Sequence, residues 1–475
     1  MLSTPMNRAK SPRSGSVLLI SALALVSMGA SRIAAAADPV IFSFATVGDS
    51  RQDPASPDAT TLLAINPTTL EGGPSLSGTL LPQDAQWLQN TKPFARIIRT
   101  IQSEKPNLLF FNGDMIYGYG RPAVPTQWGT TAPTLAQVVG SDLVFEYTQY
   151  AFWRGIVAPL FETNTYVVPV PGNHETQCNS KDTTSTSSIG CATGKHAYAE
   201  NENAFRANMS DLVNDLVTNL RFQTVSGFAA ENVAGLTAAS PAPVASTYNG
   251  PITGSQTDLS YSFDIATTAG LLHFVIINTD PSGADATAPA DWLASDLAAA
   301  KSRGAAKYFV FGHKPAFTYQ YNSSVAAGGL DANALSTNGG NPVYYRNQFW
   351  KVITQYGATY FCGHEHIPHV DTHADPTGTY AGTPYQVIVG SGGSPFDDTL
   401  GGSGASSTEP VPFLNTWDRY YAWALVQVHQ SGAVSMTVQG FGDGATFNPS
   451  TGAITNLAPS TAGPVSLLYS ISDLQ

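Results

Sequence analysis

The sequence predicts an α/β fold, and three observations carry that expectation. Short runs of β-branched and aromatic residues alternate with helical patterns, as in a sheet covered by helices. Most of the runs are apolar throughout, which marks strands buried on both faces. Several end in Gly followed by Asp, Asn or His, at the strand ends where an open α/β sheet collects its ligands. With 475 residues, 43% of them hydrophobic, the chain can bury a large core.

In chain order, strands are expected at Ile41 to Val47, Leu108 to Phe111, Tyr166 to Val170, Leu271 to Asn278, Lys307 to Phe311, Ala358 to Phe361 and Tyr385 to Val389. Helices are expected at Pro82 to Gln102, Asp142 to Phe161, Glu200 to Leu220, Pro289 to Lys301 and Val343 to Gln355, where apolar residues recur every three or four positions. Tyr420 to Val428 and Val434 to Phe441 read as a closing antiparallel pair around Gln430-Ser431-Gly432. Long Gly/Ser/Thr/Ala/Pro-rich stretches at 52–80, 119–140, 176–200, 223–257, 318–342 and 391–416 read as loops, the kind that form functional rims. No internal repeat stands out, so one elaborated domain is expected over 38–443, followed by a C-terminal extension over 444–475.

Residues 1–37 differ in character. Arg8, Lys10 and Arg13 precede an apolar run from Val17 to Gly29, and Ala34 to Ala37 offer small-residue cleavage sites before Asp38. The pattern reads as a secretory signal peptide, the run being too short to span a bilayer comfortably. A secreted or periplasmic location with no membrane span after cleavage is expected. Removing the leader takes away four basic groups and no acid, moving the net charge from -12 to -16. That balance excludes stable nucleic-acid binding, which needs a cationic surface. An oxidising compartment suits a disulfide between Cys178 and Cys191, with Cys362 left over as a buried thiol.

Five motifs stand at strand ends: Gly48-Asp49-Ser50-Arg51, Gly113-Asp114-Met115-Ile116-Tyr117, Gly172-Asn173-His174-Glu175, Val310-Phe311-Gly312-His313 and Gly363-His364-Glu365-His366. Their oxygen and imidazole donors suit Zn, Fe or Mn better than an all-oxygen Ca or Mg cage. The set exceeds one tetrahedral site, and two metals sharing a bridging carboxylate use it fully. Glu175 and Glu365 read as local capping or pairing groups. Tyr117 reads either as a ligand or as a core or rim phenol. Arg51 reads either as a bidentate phosphate contact or as an outward ion pair.

The ordered series resembles the calcineurin-like metallophosphoesterase superfamily. Tyr117, three residues after Asp114, and the Val310-x-x-His313 element look most like its purple acid phosphatase branch. The resemblance runs from residue 48 to 366 and implies a four-layer α-β-β-α sandwich with long loop insertions. It implies two divalent or trivalent metal ions, Fe with Zn, Mn or Fe. Asp49, Asp114, Tyr117 and His366 would hold one; Asp114, Asn173, His313 and His364 the other. His174 would then stand beside the substrate phosphate as an orienting donor or an acid. Arg51 departs from the pattern, since that position is a His in many members and a Gly in the purple branch. A guanidinium cannot be a ligand.

The expected activity is hydrolysis of phosphomonoesters through a metal-bound hydroxide, releasing phosphate. Phosphodiester hydrolysis of a phospholipid or nucleotide on the same site is the neighbouring alternative. A non-catalytic metal-binding surface protein is the alternative of another class, which retention of every ligand type and of His174 speaks against.

Overall fold

A computed structural model describes residues 38–50, 91–118, 142–179, 195–237, 252, 254–318, 330, 344–394, 420–442, 446–447, 454–456 and 464–475. The leader at 1–37, Pro82 to Asn90, Arg51 and Cys191 lie outside these residues, as do most of the long loops.

The described elements run β1 (Val40–Val47), α1 (Thr91–Glu104), β2 (Leu108–Asn112), α2 (Asp142–Glu162), β3 (Tyr166–Val170), α3 (Asn173–Thr176), β4 (Gln177–Asn179), β5 (Lys195–Ala197), α4 (Ala199–Thr218), α5 (Leu220–Ser226), β6 (Ala230–Gly235), β7 (Tyr261–Thr267), β8 (Gly270–Ile276), α6 (Ala290–Ser302), β9 (Ala305–Phe311), α7 (Tyr344–Tyr356), β10 (Thr359–Cys362), β11 (Pro368–Thr372), β12 (Tyr385–Val389), β13 (Tyr420–His429), β14 (Val434–Gly442), β15 (Thr446–Phe447), β16 (Ile454–Asn456) and β17 (Ser466–Ile471). Two large sheets result. One has the order β17-β14-β13-β1-β2-β3, the other β11-β12-β10-β9-β8-β7-β6. Each has a parallel heart, β1-β2-β3 in the first and β8-β9-β10-β12 in the second, flanked by antiparallel strands.

The apolar runs explain the packing. On β2 the Phe110 ring stacks 3.8 Å from Phe311 of the other sheet, while Phe111, one residue on, meets Phe94 of α1 and Trp153 of α2 at 5.6 and 5.0 Å. A strand whose successive side chains face a second sheet and a helical layer must be apolar at every position. Phe44 lies between the sheets, its ring 5.1 Å from Phe309 and 5.7 Å from both Phe311 and Phe361. Helices α6 and α7 pack on the outer face of the second sheet through Leu293, Leu297, Phe349, Trp350 and Ile353.

Several elements depart from the sequence expectation. The helix expected at Glu200 to Leu220 is α4, which stops at Thr218 because Asn219 adopts φ 58°; α5 then runs on into the stretch expected as loop from 223. Asn219 is fixed there by side-chain bonds to both backbone groups of Ala230, each 2.7 Å. The stretch 223–257, expected as loop, contains β6, an edge strand without an apolar run. The expectation also omitted β7 and β11. Residues 466–471 of the tail form the outer strand of the first sheet against β14. Among the described residues no helix is long and apolar enough to cross a membrane. Cys178 and Cys362 are both buried, the latter a free thiol on β10.

Candidate metal centre

The carboxyl ends of the parallel strands from both sheets meet at one edge. The first sheet brings Asp49 after β1, Asp114 after β2, and Asn173 and His174 after β3; the second brings His313 after β9, and His364 and His366 after β10. Asp49, Asp114 and His364 have φ of 61°, 53° and 70°, a left-handed conformation uncommon for residues with a Cβ. Such strain costs roughly 1–3 kcal/mol per residue and persists only where surrounding bonds fix it. The Asp49 N–H donates to the Gly113 carbonyl at 2.9 Å, and its carbonyl accepts from the Ser394 N–H at 2.8 Å. The His364 N–H donates to Asp49 Oδ2 at 2.9 Å.

Two groups of donors share Asp114. Asp114, His313 and His364 form one; Asp49, Asp114 and His366 form the other, with the ligand atoms of each group within 4.8 Å of one another. In the first, His313 Nε2 lies 3.1 Å from Asp114 Oδ1, 2.9 Å from Asn173 Oδ1 and 3.2 Å from His364 Nδ1. His364 Nδ1 is itself 2.8 Å from Asn173 Oδ1. Protein bonds to a first-row cation of roughly 2.0–2.2 Å put neighbouring ligand atoms about 3 Å apart, so this spacing suits a shared cation. In the second group, His366 Nε2 stands 3.6 Å from Asp49 Oδ1. His313 Nδ1 bonds the Asn112 carbonyl at 2.7 Å, which assigns its proton to Nδ1 and presents Nε2 as a donor atom. Two carboxylates, an amide oxygen and three imidazoles fit a pair of Zn, Fe or Mn ions in type and number.

The electrostatics agree with that fit. Burial pulls His313 down, but the carboxylates of Asp114 and Asp49 outweigh it and raise the imidazole to about 9. Burial, with the neighbouring positive charges of His313 and Lys314, holds His364 well below its ordinary value. Buried carboxylates thus draw positive charge into this spot, a role a cation fills without protonating the ligand nitrogens.

Glu175 organises the loops. Its Oε2 accepts the N–H groups of Gly172 and Asp114 at 2.7 and 2.9 Å, and Oε1 those of Met115 and Ile116 at 2.8 and 3.1 Å. Burial and the charge of Asp114 push it up to about 7. Gln149 Oε1 likewise accepts the Tyr117 and Gly118 N–H groups. Gly172 has no room for a side chain: a Cβ there would meet Asp114 N and Oδ1. At Gly363 it would meet Asp49 Oδ2.

His174 is buried beside the shared carboxylate, its Nε2 3.6 Å from Asp114 Oδ2 and its Nδ1 bonded to the Tyr117 carbonyl. The buried Tyr117 ring meets the His174 ring edge-on, 5.8 Å between centroids. Arg51 lies outside the described residues. His369 and His373 lie on β11 and just beyond it, and His373 stacks 3.7 Å from Phe317. The loop after β12 opens the stretch expected as loop over 391–416, but no role at the site was expected of it; there the Gly392 N–H donates to the Gly48 carbonyl and the Ser394 N–H to the Asp49 carbonyl. The run Gly390-Ser391-Gly392-Gly393 at a strand end was its signal, though it carries no metal donor.

The model of the calcineurin-like phosphoesterase family matches residues 84–368, more than half of the chain. No curated protein matches. Among solved structures the chain is similar to a purple acid phosphatase isolated from yellow lupin (Lupinus luteus) seeds, at 14% identity and TM-score 0.40, covering 88% of this chain and 53% of that one. It therefore spans about half the length of the lupin protein. It is also similar to a dimetal phosphatase from Danio rerio, at 9% identity and TM-score 0.37, covering 85% and 97%. A third similar structure is PhoD, at 12% identity and TM-score 0.41, covering 91% and 69%. The family match joins a buried donor cluster of the kind a dinuclear metal centre requires. The chain belongs to the calcineurin-like phosphoesterase family.

Proposed function

We propose that the protein is an exported phosphomonoesterase working through two cations, Fe with Zn, Mn or Fe, held by the donors around Asp114. The observation that carries the reading is the sharing of one buried carboxylate by two convergent donor groups. Asp49, Asp114, Tyr117 and His366 hold one cation; Asp114, Asn173, His313 and His364 hold the other. When bound, such a pair acidifies water, orients the phosphate oxygens and neutralises charge in an in-line displacement.

The chain's own groups do the rest. His313, with its proton fixed on Nδ1 by the Asn112 carbonyl, offers Nε2 without a tautomer change. His174, whose Nδ1 is engaged by the Tyr117 carbonyl, offers Nε2 on the Asp114 side to hold the ester's leaving oxygen and give it a proton. Proton transfer of this kind typically contributes about 10²–10⁴-fold. The glycines at 172 and 363 let the ligand loops approach without side chains between them. Export is supported by the basic, apolar and small-residue order of residues 8–37.

The test loads purified protein with Fe, Zn or Mn, measures metal content, and compares an aryl phosphomonoester with a bis-aryl phosphodiester. Two cations per chain and faster monoester turnover are expected. Faster diester turnover selects the neighbouring hydrolase, and metal-replete protein inactive on both esters rejects hydrolysis of these classes. Tyr117→Phe should remove any visible absorption band of the iron-loaded form; an unchanged band excludes the phenolate ligand.

A further inference from the structure

We propose that Asp280 is a positioning residue that locks Asn173 and His313 together as ligands of one cation. The inference rests on the metal reading above. Asp280 follows β8, carries no ligand role, and is fully buried. Its Oδ1 accepts from Lys314 Nζ at 2.7 Å, from Gln177 Nε2 at 2.9 Å and from the Ala286 N–H at 2.9 Å. Lys314 is the residue after His313, and Gln177 is the residue after α3, whose first residue is Asn173. One carboxylate oxygen thus ties together the two chain segments whose side chains meet at His313 Nε2 and Asn173 Oδ1, 2.9 Å apart.

On the second sheet's side Lys314 is held at three points. The Lys314 N–H donates to Thr279 Oγ1 at 3.2 Å, its carbonyl accepts the Tyr360 hydroxyl at 2.6 Å, and its ammonium is anchored on Asp280. Asp280 is itself oriented by its N–H donating to Asn278 Oδ1 at 2.9 Å. Stability alone does not account for this arrangement. A buried ion pair contributes little beyond what well-packed apolar residues of similar volume would, because desolvation offsets the attraction. What an apolar pair lacks is the directional link from Lys314 to Gln177. Groups that orient metal ligands from outside the ligand set typically change metal affinity about 10–100-fold when removed.

The experiment titrates full-length wild-type, Asp280→Ala and Gln177→Ala proteins with Mn²⁺. A competing chelator gives affinities, electron paramagnetic resonance distinguishes isolated from exchange-coupled ions, and circular dichroism checks the fold. Wild-type protein should take up two coupled Mn²⁺ ions. Asp280→Ala should keep one ion and weaken the other about 10–100-fold, giving an isolated-ion signal at concentrations where wild type is coupled. Gln177→Ala should weaken the same ion by a smaller factor, and it decides the matter if Asp280→Ala does not fold. Folded variants that bind both ions like wild type, or lose both in parallel, overturn the inference. Wild-type protein that takes up no Mn²⁺ pair overturns the metal reading and the inference with it.

Discussion

Replacing Glu175 by Gln tests whether the ligand loops are held by one carboxylate. In the native protein its two oxygens accept four buried backbone N–H groups, two on each oxygen, from Gly172, Asp114, Met115 and Ile116. A Gln amide has one oxygen, so either orientation turns an NH2 toward two of those donors. A buried donor left without an acceptor costs about 1–3 kcal/mol, so two of them cost about 2–6 kcal/mol. The loss falls where Asp114 and Asn173 are set, so cation affinity should drop together with stability, by about 10–100-fold. Urea unfolding of metal-free protein at pH 8, above the value near 7 to which burial and Asp114 raise Glu175, reads the first quantity less the cost of the buried charge, which Gln removes. Mn²⁺ titration reads the second. A Glu175→Gln protein within about 0.5 kcal/mol of wild type, the range of ordinary surface substitutions, with unchanged Mn²⁺ affinity, would refute the cradle.

Three further outcomes are expected. His174→Ala should keep both cations and lower kcat about 10²–10⁴-fold; release of a cation in elemental analysis would make His174 a ligand instead. Phe44→Ala, emptying a ring site between the sheets, should cost about 3–5 kcal/mol in urea unfolding, and a cost near zero would mean the sheets do not meet through Phe44. His273 is buried between Asp264 and Asp296, at 2.6 and 2.9 Å; burial lowers it, but these two bonds prevail and raise its pKa. A raised histidine contributes stability that is complete below its unfolded value of about 6.5 and fades as pH rises through the folded value. Metal-free wild type should therefore lose stability relative to His273→Gln as pH rises above about 6.5, and parallel curves across that range would contradict the assignment.

The strands of both parallel hearts were legible in the sequence because burial on two faces writes itself as a largely apolar run, as in Leu108 to Phe111 or Tyr166 to Val170. Edge strands were not. Ala-Glu-Asn-Val-Ala-Gly at β6 faces solvent over much of its length, so nothing in its composition marks a strand until β7 pairs with it. The helix break at Asn219 was hidden because Asn is acceptable inside a helix, and only the distant Ala230 backbone captures its side chain.

The sequence by itself determined which donors exist and that each follows a strand, since Gly, Asp, Asn and His at strand ends are local chemistry. Tertiary structure alone decided that strands of two different sheets end at one edge, bringing Asp114 within 3.1 Å of His313 across 199 positions of chain (313 less 114). It also decided the left-handed turns of Asp49, Asp114 and His364, the four bonds to Glu175 and the link through Asp280. The physical reason is that periodicity records how deeply a residue is buried, whereas the partner of a buried polar atom is chosen by whichever distant segment packs against it.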